Sequence, residues 1–133
     1  MKHIRIASKN FLKNESGVVS LEFAIWVPLV FGIFLTVLDF AHAMTVNSTM
    51  WHQARIAARG LSMHEISPQD ARELINSGLH WTRSDYQIDI VEDRSTVRVS
   101  IKTPMKTSGI IDFATAKLSG NWVAEVEILR EPV

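Results

Sequence analysis

The sequence predicts an α+β protein: a long N-terminal transmembrane helix continuing into a small domain, with a short second helix and a three-stranded antiparallel sheet. Three observations predict it. Residues 18–38 are an apolar run broken by one charge, Glu22. Ser67-Pro68-Gln69-Asp70 has the residues of a helix start, with Ser as N-cap, Pro at the first helical position and Asp in the first turn. Three stretches near the C-terminus alternate apolar and polar residues with the period of a half-buried strand. A chain of 133 residues has room for one small domain plus an anchor.

The apolar run covers 21 positions, 18–38, which as a helix reaches roughly 30 Å, the thickness of a bilayer core. About a hundred remaining residues are too few to wrap such a helix on every side. Lys+Arg and Asp+Glu balance at 14 each, so no global field favours nucleic acid. Locally, Lys2, Arg5, Lys9 and Lys13 precede the run and Asp39 follows it. The positive-inside rule places the N-terminus in the cytoplasm and residues 39–133 across the membrane. Pro28 and Gly32 within the run mark an expected kink. The chain has no cysteine, which excludes disulfides and thiolate chemistry.

Two readings of the N-terminus stand. In one, Ala41-His42-Ala43 is a signal-peptidase site and a secreted binding module begins at Met44. In the other, residues 1–17 are a basic leader cut after Gly17, leaving the apolar helix attached. Gly17 then ends the leader, Glu22 is the fifth residue after the cut and Phe23 the sixth. The new ammonium on Val18 would lie four residues from Glu22, on one helix face. Pairing with it, or with a neighbouring chain's amine, offsets the cost of a charge in lipid and sets register between helices. Snorkelling of Glu22 to the interface is the plainer alternative.

Glu22-Phe23-Ala24, Pro28-Leu29, Leu38-Asp39-Phe40 and Gln53-Ala54-Arg55-Ile56-Ala57-Ala58-Arg59 together resemble the TadE-like family. Its members are minor pilins or pseudopilins of the tight-adherence (Flp) pilus system. Asp39 stands where the family often has glutamate. The resemblance, which covers residues 15–60, implies a pilin-like fold, cleavage by a prepilin peptidase, and a role in pilus assembly with other pilins or assembly-platform proteins.

Beyond the membrane the helix is expected to run to about residue 61. Phe40, Met44, Trp51, Ala54, Ala58 and Leu61 form an apolar stripe, and Ala54, Ala57 and Ala58 are small enough for close helix packing. The second helix is expected to end near Asn76, with Gly78 as its stop. Tyr86, Ile88 and Ile90 alternate, as do Val97, Val99 and Ile101, around a hairpin loop at Glu92-Asp93-Arg94-Ser95. Trp122, Ala124, Val126 and Ile128 share one face of a third strand, opposite Glu125 and Glu127. Residues 103–120 are expected to form a short helix over the sheet, or else a docking loop at Ile110-Ile111-Asp112-Phe113.

Signs of enzyme chemistry are sparse, and no cofactor or metal site is expected. His3, His42, His52, His64 and His80 form no close ligand pair. His64-Glu65 begins like a zincin helix, but Pro68 occupies the second histidine's place. Asp85, Asp89, Glu92 and Asp93 lack EF-hand spacing. Asp112 and His80 belong to no motif. A membrane-tethered periplasmic enzyme is thus a third, weaker reading.

Overall fold

The computed structural model describes residues 16–132; the leader residues 1–15, which include its four cations and His3, lie outside them. The fold is α+β. Helix α1 spans Ser16–Ser62 and α2 Pro68–Leu79. Strands β1 (Gln87–Glu92), β2 (Thr96–Pro104) and β3 (Asn121–Leu129) form one antiparallel sheet in the order β1-β2-β3. The chain divides into two compact units between Phe34 and Leu35.

Helix α1 is helical through both Pro28 and Gly32. Its buried face in the second unit carries Asp39, Ala43, Val46, Met50, Ala54, Ala57, Ala58 and Leu61. The expected stripe therefore needs correction at its start. Phe40 and Met44 are exposed and Trp51 is half-buried. A charged residue opens the true stripe because its carboxylate has hydrogen-bond partners inside the fold, which hydrophobicity alone does not register.

The end of α1 is set by backbone geometry. The Glu65 N–H donates to the Gly60 carbonyl at 2.9 Å and the His64 N–H to Leu61 at 3.2 Å. With His64 at φ 59°, this is the paired-bond Schellman stop. Helix α2 begins with a reciprocal capping box. The Asp70 N–H donates to Ser67 Oγ, and the Ser67 N–H to Asp70 Oδ2. It does not stop at Asn76 but continues to Leu79, burying Ala71, Ile75 and Leu79 at four-residue spacing. Gly78 lies inside it, because a Cβ there would stand 2.2 Å from Gln53 Nε2 of α1. The glycine leaves room for the end of the Gln53 side chain.

Strand register explains the core. Ile88, Ile101 and Ala124 align across the sheet, as do Ile90, Val99 and Val126. This face supplies buried Val97, Val99, Ile101 and Ala124 to the cluster that includes the α1 stripe and α2. The opposite face carries Arg98, which donates to Glu127 at 2.8 Å. The hairpin turn takes in Asp93–Ser95 alone, since Glu92 is the last residue of β1. Arg72 of α2 donates to the Ile88 carbonyl at 2.6 Å, occupying a polar group of the sheet-edge strand.

The connection from β2 to β3 forms no α-helix. It holds two short 3₁₀ turns, Met105–Thr107 and Thr115–Lys117. Between them the N–H groups of Ile110, Ile111 and Ala114 donate to the Asp39 carboxylate. Donors engaged this way are withdrawn from an i→i−4 ladder, and Asp112 at φ 57° turns the chain again. Ile110, Ile111 and Phe113 consequently point outward rather than cover the sheet.

Candidate functional site

The first unit offers a helix with no core of its own. Its most apolar window is entirely unburied, and it is long and apolar enough to cross a membrane. Val19, Leu21, Phe23, Ile25 and Trp26 are all exposed around the helix. Each such side chain gains about 1.5–3 kcal/mol when removed from water. A helix apolar on every side therefore calls for lipid or other helices as its surroundings. Glu22 is exposed within this surface. Gly17 sits at its start with open space where a Cβ would be, so the fold itself does not require glycine there.

The second unit holds a buried carboxylate, Asp39, the residue that follows the expected span. It is wholly removed from solvent. Oδ1 accepts from the Ile110 and Ile111 N–H groups at 3.2 and 3.0 Å, and Oδ2 from Ala114 at 3.0 Å. Successive amides pointing at one anion form a nest of the kind that binds phosphates elsewhere. Here the anion is the chain's own. Burial pushes the carboxyl's pKa up, but the amides of Ala114, Ile111, Phe113 and Ile110 outweigh it. The Phe113 amide contributes although it falls outside hydrogen-bond geometry. The net result lies below the ordinary aspartate value, so Asp39 is the stable anion at neutral pH.

Around this anchor the loop is fixed from several sides. Asp112 Oδ1 accepts from the Gly109 N–H at 3.2 Å and from Thr115 Oγ1 at 3.1 Å. Ser108 Oγ donates to the Met105 carbonyl and accepts from Trp122 Nε1 at 3.2 Å. Gly109 has no room for a Cβ, which would stand 2.5 Å from Thr115 Oγ1 and 3.0 Å from Asp39 Oδ1. The result is a rigid presentation of Ile110, Ile111 and Phe113, which are 51, 55 and 52% exposed. Beside them a shallow pocket is lined by His42, Trp81, Arg83, Gly109 and Ile110. There the Trp81 and His42 rings meet edge to face at 5.7 Å.

The remaining sequence candidates find structural roles. Ala54, Ala57 and Ala58 are buried in the intramolecular core. His64 stops α1, and its Nε2 accepts from Arg130 Nε at 2.9 Å. Asp89 pairs with Lys102 and Glu92 with Arg130 at 3.9 and 4.0 Å. Asp112, which sequence could not assign, shapes the loop. Among the described residues no group of three or more His, Asp or Glu side chains is placed to hold a metal ion. Sequence reading missed the function of Asp39. Its available signal was position: a carboxylate four and seven residues before Ala43 and Val46, which belong to the helical core stripe.

No curated protein and no solved structure matches the chain. Residues 17–59 do match a family, the TadE-like proteins, and they comprise the bare apolar helix together with most of its packed continuation, Asp39 included. Over that segment the chain is similar to the TadE-like proteins.

Proposed function

We propose that the protein is a minor pilin or pseudopilin acting in assembly of a type IV-like (Flp/Tad) adhesive pilus, not an enzyme. A prepilin peptidase removes residues 1–17. The helix that follows anchors the chain in the inner membrane, with its N-terminus on the cytoplasmic side and residues 39–133 on the periplasmic side. The observation that carries this reading is the unburied apolar helix, which the family match covers from Gly17 onward. Glu22 pairs with the Val18 amine and sets axial register against other pilins or assembly-platform helices. Release after Ala43 is the weaker reading. Ala43 is buried within α1, and that cut would remove Asp39 from the loop it holds.

N-terminal sequencing of the mature protein from membranes tests the proposal. A start at Val18, abolished in Gly17→Leu, is expected. Because an added side chain at Gly17 meets no packed neighbour, that variant reports on the peptidase and leaves folding alone. Glu22→Ala is expected to be cut yet to fail in assembly. A start at Met44 in protein released from the membrane would overturn the reading.

A further inference from the structure

We infer a second membrane contact: the loop at residues 110–113 seats its apolar side chains in the periplasmic leaflet. The inference rests on the reading that residues 18–38 cross the membrane. Its starting point is depth. The last turn of that span, residues 35–38, belongs to the same packed unit as the loop. The next residue, Asp39, holds the loop's amides at 3.0–3.2 Å. A loop tied to the residue that leaves the bilayer is held at the level of the interface.

Its surface chemistry matches that level. Ile110, Ile111 and Phe113 are each about half exposed on one short loop, an apolar cluster that water does not favour. Exposed Trp81 borders the same pocket as Ile110, and amphipathic aromatic rings prefer the headgroup region. Lys106 and Lys117 flank the loop in sequence, both exposed, and Arg83 lines the pocket. Asp39 and Asp112, the carboxylates bonded to the loop, accept from its backbone or hydroxyl donors. What faces outward is therefore apolar with a cationic border, suited to an anionic phospholipid surface.

The absence of native cysteine allows a direct depth measurement. Single variants Ile111→Cys, Leu29→Cys and Leu129→Cys, all at exposed sites, are labelled with an environment-sensitive fluorophore. The full chain is then reconstituted in vesicles of phosphatidylethanolamine and phosphatidylglycerol. Lipids carry a nitroxide either high or low on the acyl chain. The Ile111 label is expected to emit blue-shifted and to be quenched by the high nitroxide, as for a group about 5–10 Å into the interface. The Leu29 label should be quenched by the low nitroxide, and the Leu129 label by neither. An unquenched Ile111 label beside a quenched Leu29 label overturns the loop contact and leaves the anchor intact. Loss of quenching at both overturns the anchor as well. A blue shift at Ile111 that shows no lipid quenching and vanishes as lipid is added in excess assigns the loop to a second copy of the chain, and overturns the membrane contact.

Discussion

Helix α1 contains two halves that obey different rules. Between residues 19 and 34 it is apolar on all sides and exposed on nearly all, so no face is chosen from within the chain. From residue 39 to 61 a single stripe is buried, Ala43, Val46, Met50, Ala54 and Leu61 among it, while His52, Arg55 and Arg59 remain outside. The backbone conformation is the same throughout. What changes is the partner. The first half is unburied within the chain, whereas the second packs with the sheet and α2. Adjacent segments of one helix can thus differ in whether the chain itself buries them.

Removal of Asp39 should break this distinction most strongly. Asp39→Ala leaves three loop amides without their acceptor and is expected to destabilise the second unit by about 3 kcal/mol. Denaturant unfolding of the detergent-solubilised protein measures the loss. Hydrogen exchange should rise across residues 105–118 and stay unchanged across 19–34; a uniform rise along α1 would show that its halves are not independent.

Acid sharpens the same point. Because the folded-state pKa of Asp39 is depressed, its contribution is present above the ordinary aspartate value and is lost as pH falls through the lower folded value. In that window the unfolded chain binds more protons, so stability falls with falling pH. Melting temperature against pH should show a steeper acid limb in the native chain than in Asp39→Asn. Equal slopes would remove Asp39 from the account.

A smaller effect is expected where α2 crosses α1. Gly78→Ala forces the end of the Gln53 side chain aside and should cost about 1 kcal/mol. In a Gln53→Ala background the obstruction is gone. There the substitution should stabilise by up to about 1 kcal/mol, the helix preference of alanine over glycine. A double-mutant cycle in denaturant reads the change of sign. The smallest loss is expected from Ser67→Ala, which removes the α2 cap for about 1 kcal/mol or less and should leave pilus assembly unaffected.

Much of this architecture is legible in the residues because its signals are local. Capping at Ser67, the hairpin at residues 93–95 and strand alternation each depend on neighbours within a few positions. The apolar span is likewise local, and the family match covers it. Readings that failed depended on distant partners. Gly78 has the composition of a helix stop but is placed by Gln53, twenty-five residues earlier. Asp39 looks like a flanking charge until residues 110–114 bring it their amides. Those same bonds turn an expected covering helix into an outward-facing loop.

By itself, then, the sequence determined that two helices, three strands and an apolar span are present and roughly where, since period, capping and hydropathy are properties of contiguous residues. Only the tertiary structure decided which face of α1 is buried, which side chains crowd Gly78 and Gly109, and that a carboxylate at the end of the span holds an apolar loop. Those outcomes depend on hydrogen bonds and steric approaches between residues far apart in the chain, and no window along the sequence contains both partners.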